Sequence, residues 1–275
     1  MRRYAQGYFI KLWCVLSGII VLSLISYIII YIIINGISVL NLSFIFDSPK
    51  GMPLGSEGGI YPAIIGSLYL TLIACFFASI LAISTAIYLL FYCNSIKISN
   101  LIHLVIGCIA GIPSIIIGMF GYTLLVYQLR LGRSLIAGGI TLGIMIFPVI
   151  EVKVERIISE IDSYIISSSY ALGVSKTYTF FRLVLPACKR DIIASIALAG
   201  SYAMGATAPI ILTSAVMFAP TPKSLTSPVM ALPYHLYLLI SESISIQNAY
   251  ATTFVLISIL LTINIIASLV AKTGR

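Results

Sequence analysis

Charge is scarce in this 275-residue sequence, where Asp, Glu, Lys and Arg together make up 9%. An ordinary soluble domain carries about a quarter. Hydrophobic residues reach 60% and the mean hydropathy is +1.11, so no water-soluble fold could cover its own surface with polar groups. Disorder is excluded for the opposite reason, because the apolar content is too high. Histidine is nearly absent: His103 and His235 stand far apart, and no HExxH occurs. There is no GxxxxGK[ST] loop, so the chain does not cradle ATP in that way. A GxSxG with acid and base partners is also lacking. The five cysteines, Cys14, Cys75, Cys93, Cys108 and Cys188, are odd in number and widely spaced. Without a CxxC or a Cys/His cluster they predict neither a disulfide framework nor zinc. The sequence therefore predicts no catalytic, cofactor-binding or metal-binding residue in this chain.

What is abundant is long apolar runs. Six membrane spans are predicted, at about 12–34, 64–92, 101–127, 134–152, 191–217 and 251–271, giving an all-α, polytopic helical membrane protein. The run from Leu12 to Ile34 is 23 residues, longer than the ~7–15 of a signal-peptide core, and Asn35-Gly36 is no cleavage site. It reads as an uncleaved first span. The net charge of +8 could indicate nucleic acid, but the cations sit between greasy runs rather than on one solvated face, so the partner is the bilayer and not nucleic acid. With the N-terminus inside, 12 of the 16 basic residues, Arg2, Arg3 and Arg275 among them, fall on the inner side. Only Lys50, Arg130, Arg133 and Lys223 fall outside. The positive-inside bias then places both termini in the cytoplasm. Residues 1–57 form a first helix and outer loop, and 58–275 form a core with a cytoplasmic loop at 153–190. In the outer segment 218–250, four prolines precede an apolar stretch after Pro233 that predicts a short helix at the outer surface.

All eight acidic residues fall in loops or at span ends on this assignment. Ion-coupled carriers usually keep an ionisable group in mid-membrane, despite a cost of at least ~2.5–3.5 kcal/mol. Uphill movement would thus draw its energy from another subunit. The loop 153–190 carries apolar residues at helical spacing, then Gly173, which suits a left-handed helix end. Ser175-Lys-Thr predicts a second helix start, and Pro186 a bend into the fifth span.

In this loop SSSYALGVSKTYTFFRLVLP resembles the signature of ABC importer permeases, E-A-A-x-x-x-G followed by nine residues and I-x-L-P. The aligned positions are Ser167, Ser168, Ser169, Gly173 and Leu183 to Pro186, with serines at the Glu and Ala positions. The strings at 58–72, 110–122, 134–150, 205–213 and 227–237 resemble the phosphate importer permease of the PstA type, in order across 58–271. The resemblance implies an ABC importer permease fold in the bacterial inner membrane. It also implies a second related permease subunit, an ATPase dimer holding ATP and magnesium, and an extracytoplasmic phosphate-binding protein. It assigns Ser167, Ser168, Ser169, Gly173, Val174, Ser175, Lys176 and Pro186 to a coupling helix that docks on the ATPase. The chain departs from the family pattern R-A-I-G-E-T-A-P, placing Tyr202 and Ala206 at the Arg and Glu positions. Read from the residues, a pathway could instead use neutral contacts. Ser114 and Thr207 sit beside Pro113 and Pro209, which interrupt helical hydrogen bonding, and Ser201 lies nearby. The competing reading is that these hydroxyls bond their own helices. Two further functions share the sequence features: a permease for sulfate, molybdate or an amino acid, and a channel or scaffold that retains the fold without transporting.

Overall fold

A computed structural model describes residues 2–272 of the chain, with side chains from residue 10 onward. Arg275 and the side chains of Arg2 and Arg3, counted above on the inner side, lie outside the described residues.

The chain is built of helices. The first, α1 (Arg2–Gly36), is apolar all round from Leu12 onward and packs chiefly along the last, α12 (Ile246–Lys272). Tyr31 meets Tyr250 there edge-on, 5.7 Å between ring centres. The loop after α1 holds a short helix, α2 (Leu42–Phe46), whose Asn41 cap accepts the Phe44 N–H at 2.7 Å. A two-residue hairpin, β1 (Pro49–Lys50) with β2 (Glu57–Gly58), follows. Asn248 of α12 ties this loop down by donating to the carbonyls of Gly55 and Ser56.

The centre is a pair of long helices, α3 (Tyr61–Ile87) and α6 (Leu135–Ser159), which make the most extensive contact in the chain. Their closeness follows from small side chains. Ala74, Ala78, Ala82 and Ala86 recur every fourth residue on α3 and are fully buried. Opposite them, Gly143 leaves no room: a β-carbon there would sit 2.8 Å from Phe77 Cδ1 and 3.2 Å from the Ala74 carbonyl. Within a membrane, where lipid is as apolar as leucine, such close approach is what holds helices together.

Among the described residues, four helices are long and apolar enough to cross a membrane: Ile10–Gly36, Tyr61–Tyr92, Leu135–Ser159 and Ile246–Lys272. The predicted third span is not one straight helix. It divides into α4 (Ile96–Gly111) and α5 (Ser114–Gly121, prolonged by a π-turn to Gln128), bent by 99°, and this pair makes a fifth candidate span. Pro113 causes the break, because it donates no hydrogen bond and pushes Ile112 out of the helical region, to φ −73° and ψ 128°.

The predicted fifth span is also interrupted. Its helix, α9 (Leu185–Met204), stops at Gly205, and α10 (Ala208–Thr213) follows with Pro209 in its first turn. Residues 214–231 then leave helical structure and cross the start of α6. There Ser134, Leu135 and Ile136 donate to the carbonyls of Thr213, Ser227 and Leu225 at 2.9–3.1 Å. These are donors that a helix start would otherwise leave unpaired. The short helix expected after Pro233 is present as α11 (Leu232–Ser241).

Candidate functional site: the elbow and the broken helices

Between α6 and α9 the chain folds into an elbow. Asp162 caps α7 (Ser163–Ala171) by accepting the Tyr164 N–H at 2.9 Å. Gly173 ends the turn at φ +77°, the left-handed conformation that its place in the sequence predicts. Ser175 caps the second helix, α8 (Lys176–Thr179), as its start signal predicts. This helix does not end there. It runs through a π-turn at Phe180–Val184 into α9, so the elbow's second arm and the fifth predicted span are one continuous rod. At Pro186 the helix carries on, and the π-turn shifts the hydrogen-bond register just ahead of a residue that donates none.

The three signature serines part company. Ser167 is exposed and donates to the Tyr164 carbonyl, Ser168 is half-buried, and Ser169 is buried. The Ser169 hydroxyl meets that of Thr179 at 2.9 Å and locks the two arms together. The outer edge of the elbow is apolar and unpartnered among the described residues: Leu172 is 84% exposed and Tyr164 75%, with Ile165 beside them. Val174 is half-buried, and Gly173 has open space around it.

Lys176 turns away from that edge. Its Nζ donates to the Phe91 carbonyl at 2.7 Å and lies 5.5 Å from the centre of the Tyr92 ring. The Tyr92 hydroxyl meets that of Thr177 at 3.0 Å, and Phe91 meets Phe180 edge-on at 5.8 Å. A cleft of about 450 Å³ opens beside this contact, lined by Asn94, Ile158, Ser163 and Tyr170 among others. Burial, with Tyr92 nearby, raises the Tyr170 phenol above its ordinary pKa, so it stays neutral there. Sequence reasoning missed Phe91, Tyr92 and Thr177. The available signal was a lysine in the first turn of a helix, where the helix dipole disfavours a cation.

The second group of predicted residues comes together where the broken helices meet. Gly118 of α5 packs on the start of α10: a β-carbon there would sit 2.9 Å from Pro209 Cα and 3.1 Å from the Ala208 carbonyl. Ser114 stands one turn before Gly118, at the start of the half-helix that Pro113 opens, and Thr207 immediately precedes α10. Both are half-buried, and neither hydroxyl has a hydrogen-bond partner among the described residues. Ser201 differs, since it is buried and donates to the Ala197 carbonyl of its own helix at 3.2 Å. Tyr202 is 58% exposed, while Ala206 is half-buried against the main core.

One acidic residue departs from its expected place at a span end. The helix α6 runs seven residues beyond the predicted limit of 152, so Glu151 is fully buried, and neither carboxylate oxygen has a hydrogen-bond partner among the described residues. One turn on, Glu155 takes the His103 ring Nε2 at 3.0 Å and joins α4 to α6.

Residues 92–273 match the family described as the binding-protein-dependent transport system inner membrane component. The chain is 30% identical over 184 residues to a probable ABC transporter permease protein, YqgI, of Bacillus subtilis, covering 67% of this chain and 62% of that one. It is 29% identical over 211 residues to a probable phosphate transport system permease protein PstA of Methanocaldococcus jannaschii, covering 76% and 74%. With the PstA of Mycobacterium leprae the identity is 31%, over 58% of this chain and 52% of that one. The chain thus spans between half and three-quarters of these relatives. Among solved structures, an inward-facing MetNI methionine ABC transporter chain superposes with a TM-score of 0.61, at 14% identity, covering 78% of this chain and 97% of that one.

Proposed function

The chain belongs to the binding-protein-dependent transport system inner membrane components, and from that premise we propose that it forms half of the translocation pathway of an ATP-driven importer for inorganic phosphate. It is a permease subunit and no enzyme. In this reading a second, related permease supplies the other half, a partner ATPase pair binds and hydrolyses ATP with magnesium, and an extracytoplasmic binding protein delivers the anion. Both termini and the elbow face the cytoplasm, in keeping with the basic residues gathered on that side. Support for phosphate comes from the PstA relatives and from the run of PstA-like strings between residues 58 and 237.

The observation that carries the coupling role is the elbow's apolar edge. Leu172, Tyr164 and Ile165 stand out at a turn held by Gly173, with nothing among the described residues to cover them. An aliphatic or aromatic side chain gains ~1.5–3 kcal/mol on full burial, so this edge suits a groove in another protein. Closure of the ATPase pair would then push the elbow and switch the pathway between inward- and outward-facing states. Oxyanion contact falls to the hydroxyls of Ser114 and Thr207 and to backbone freed near Pro113 and Pro209, with no buried charge from Tyr202 or Ala206.

A cysteine at Leu172 should crosslink to a cysteine in the ATPase groove within the assembled complex. Replacing Gly173 with valine should weaken that crosslink, because a β-branched residue pays ~1–2 kcal/mol for left-handed backbone. An undiminished crosslink in that variant, or none in the wild type, removes the elbow from the docking surface.

A further inference from the structure

We propose that Lys176 is a positioning residue that clasps the elbow to α3 and so carries the ATPase stroke across the membrane, rather than a residue that touches the ATPase. The inference rests on the permease reading above. Its ground is where the lysine's charge goes. Lys176 opens α8, and a cation at a helix start is unfavourable to that helix. Its ammonium instead donates to the carbonyl of Phe91, in the last turn of the π-segment Tyr88–Tyr92 that prolongs α3. Carbonyls at a helix end lack intrahelical donors and carry the negative end of the dipole, so the lysine serves α3 at the expense of its own helix.

Two more ties join the same neighbours. The Tyr92 and Thr177 hydroxyls meet at 3.0 Å, and Phe91 packs edge-on against Phe180 at 5.8 Å. Consecutive residues at the end of α3 are thereby fastened to successive positions along the second arm of the elbow. The Ser169–Thr179 contact makes the two arms one body, so displacement of the exposed tip reaches the clasp with little loss.

At its other end α3 is fastened again. Ser67 Oγ accepts the Leu232 N–H at 2.8 Å in a buried contact, and Gly66 lies directly against the Met230 carbonyl. The helix is thus a rod gripped by the elbow at one end and by the segment 229–232, which leads into α11, at the other. A push on the elbow has a continuous packed path to the opposite face of the molecule, and Lys176 is its first joint.

The test uses the full complex, with both permease chains, the ATPase pair and the binding protein, in proteoliposomes. Lys176→Met keeps the apolar stem and removes the ammonium. Tyr92→Phe removes only the hydroxyl tie, and Lys176→Arg retains a cation able to reach the same carbonyl. With Lys176→Met, assembly and the Leu172–ATPase crosslink should persist while phosphate uptake per ATP hydrolysed falls about fivefold or more. Tyr92→Phe should give a smaller fall, and Lys176→Arg should recover most of the loss. Unchanged uptake per ATP in Lys176→Met overturns the clasp, and so does loss of assembly or of the crosslink, which would make Lys176 a docking residue. Failure of the wild-type crosslink would instead overturn the docking reading.

Discussion

Ser114 and Thr207 differ from the other hydroxyls of the broken-helix region in what they bond. Thr213 donates to the Pro209 carbonyl at 2.8 Å and Ser201 to that of Ala197, as hydroxyls in membrane helices commonly do. Ser114 and Thr207 have no such partner among the described residues and stand at the two points where helices stop. A hydroxyl spared from its own backbone is available to an oxyanion, and a hydrogen bond to a charged group is worth ~1.5–3 kcal/mol. Ser114→Ala combined with Thr207→Val should therefore reduce phosphate uptake about tenfold or more while leaving assembly intact. Uptake at the wild-type rate in that double variant would return both residues to a packing role. Ser201→Ala serves as the internal control: its hydroxyl is already satisfied within the helix, so uptake should change little.

At the scale of elements, the determining contact is α3 against α6. Gly143 is the tightest test of it, because a side chain there meets the Phe77 ring and the Ala74 carbonyl at once. Gly143→Leu should force the pair apart and cost about 1–3 kcal/mol or more, read as a lower melting temperature and lower yield of the assembled complex. A variant of wild-type stability would mean that the helices are not held by this approach. The element scale also shows how much was legible in the sequence. Four of the six predicted apolar spans, the short helix after Pro233, the left-handed Gly173 and the Ser175 cap are local signals, and each stands where the sequence places it. Hydropathy registers composition rather than continuity, so it ran straight through Pro113 and through Gly205–Thr207, where hydrogen-bond geometry interrupts the helix. Glu151 was misplaced for the same reason: the apolar run ended near 152, but the helix and its burial did not. A lysine at a helix start is a local signal, but its acceptor was illegible because Phe91 lies 85 residues away in the chain.

For the whole molecule, the outstanding feature is an importer permease without the two charges of the family pattern at Tyr202 and Ala206. Tyr202 is exposed in the isolated chain and stands at the end of α9, where a second permease could cover it. Any charge that phosphate needs would then come across the shared pathway from that partner. The decisive measurement is ATP-dependent uptake of radiolabelled phosphate by the reconstituted complex, with sulfate as competitor. Accumulation should require ATP and the binding protein and should resist excess sulfate. Sulfate or another solute taken up in place of phosphate, or phosphate flux that persists without ATP, would contradict it.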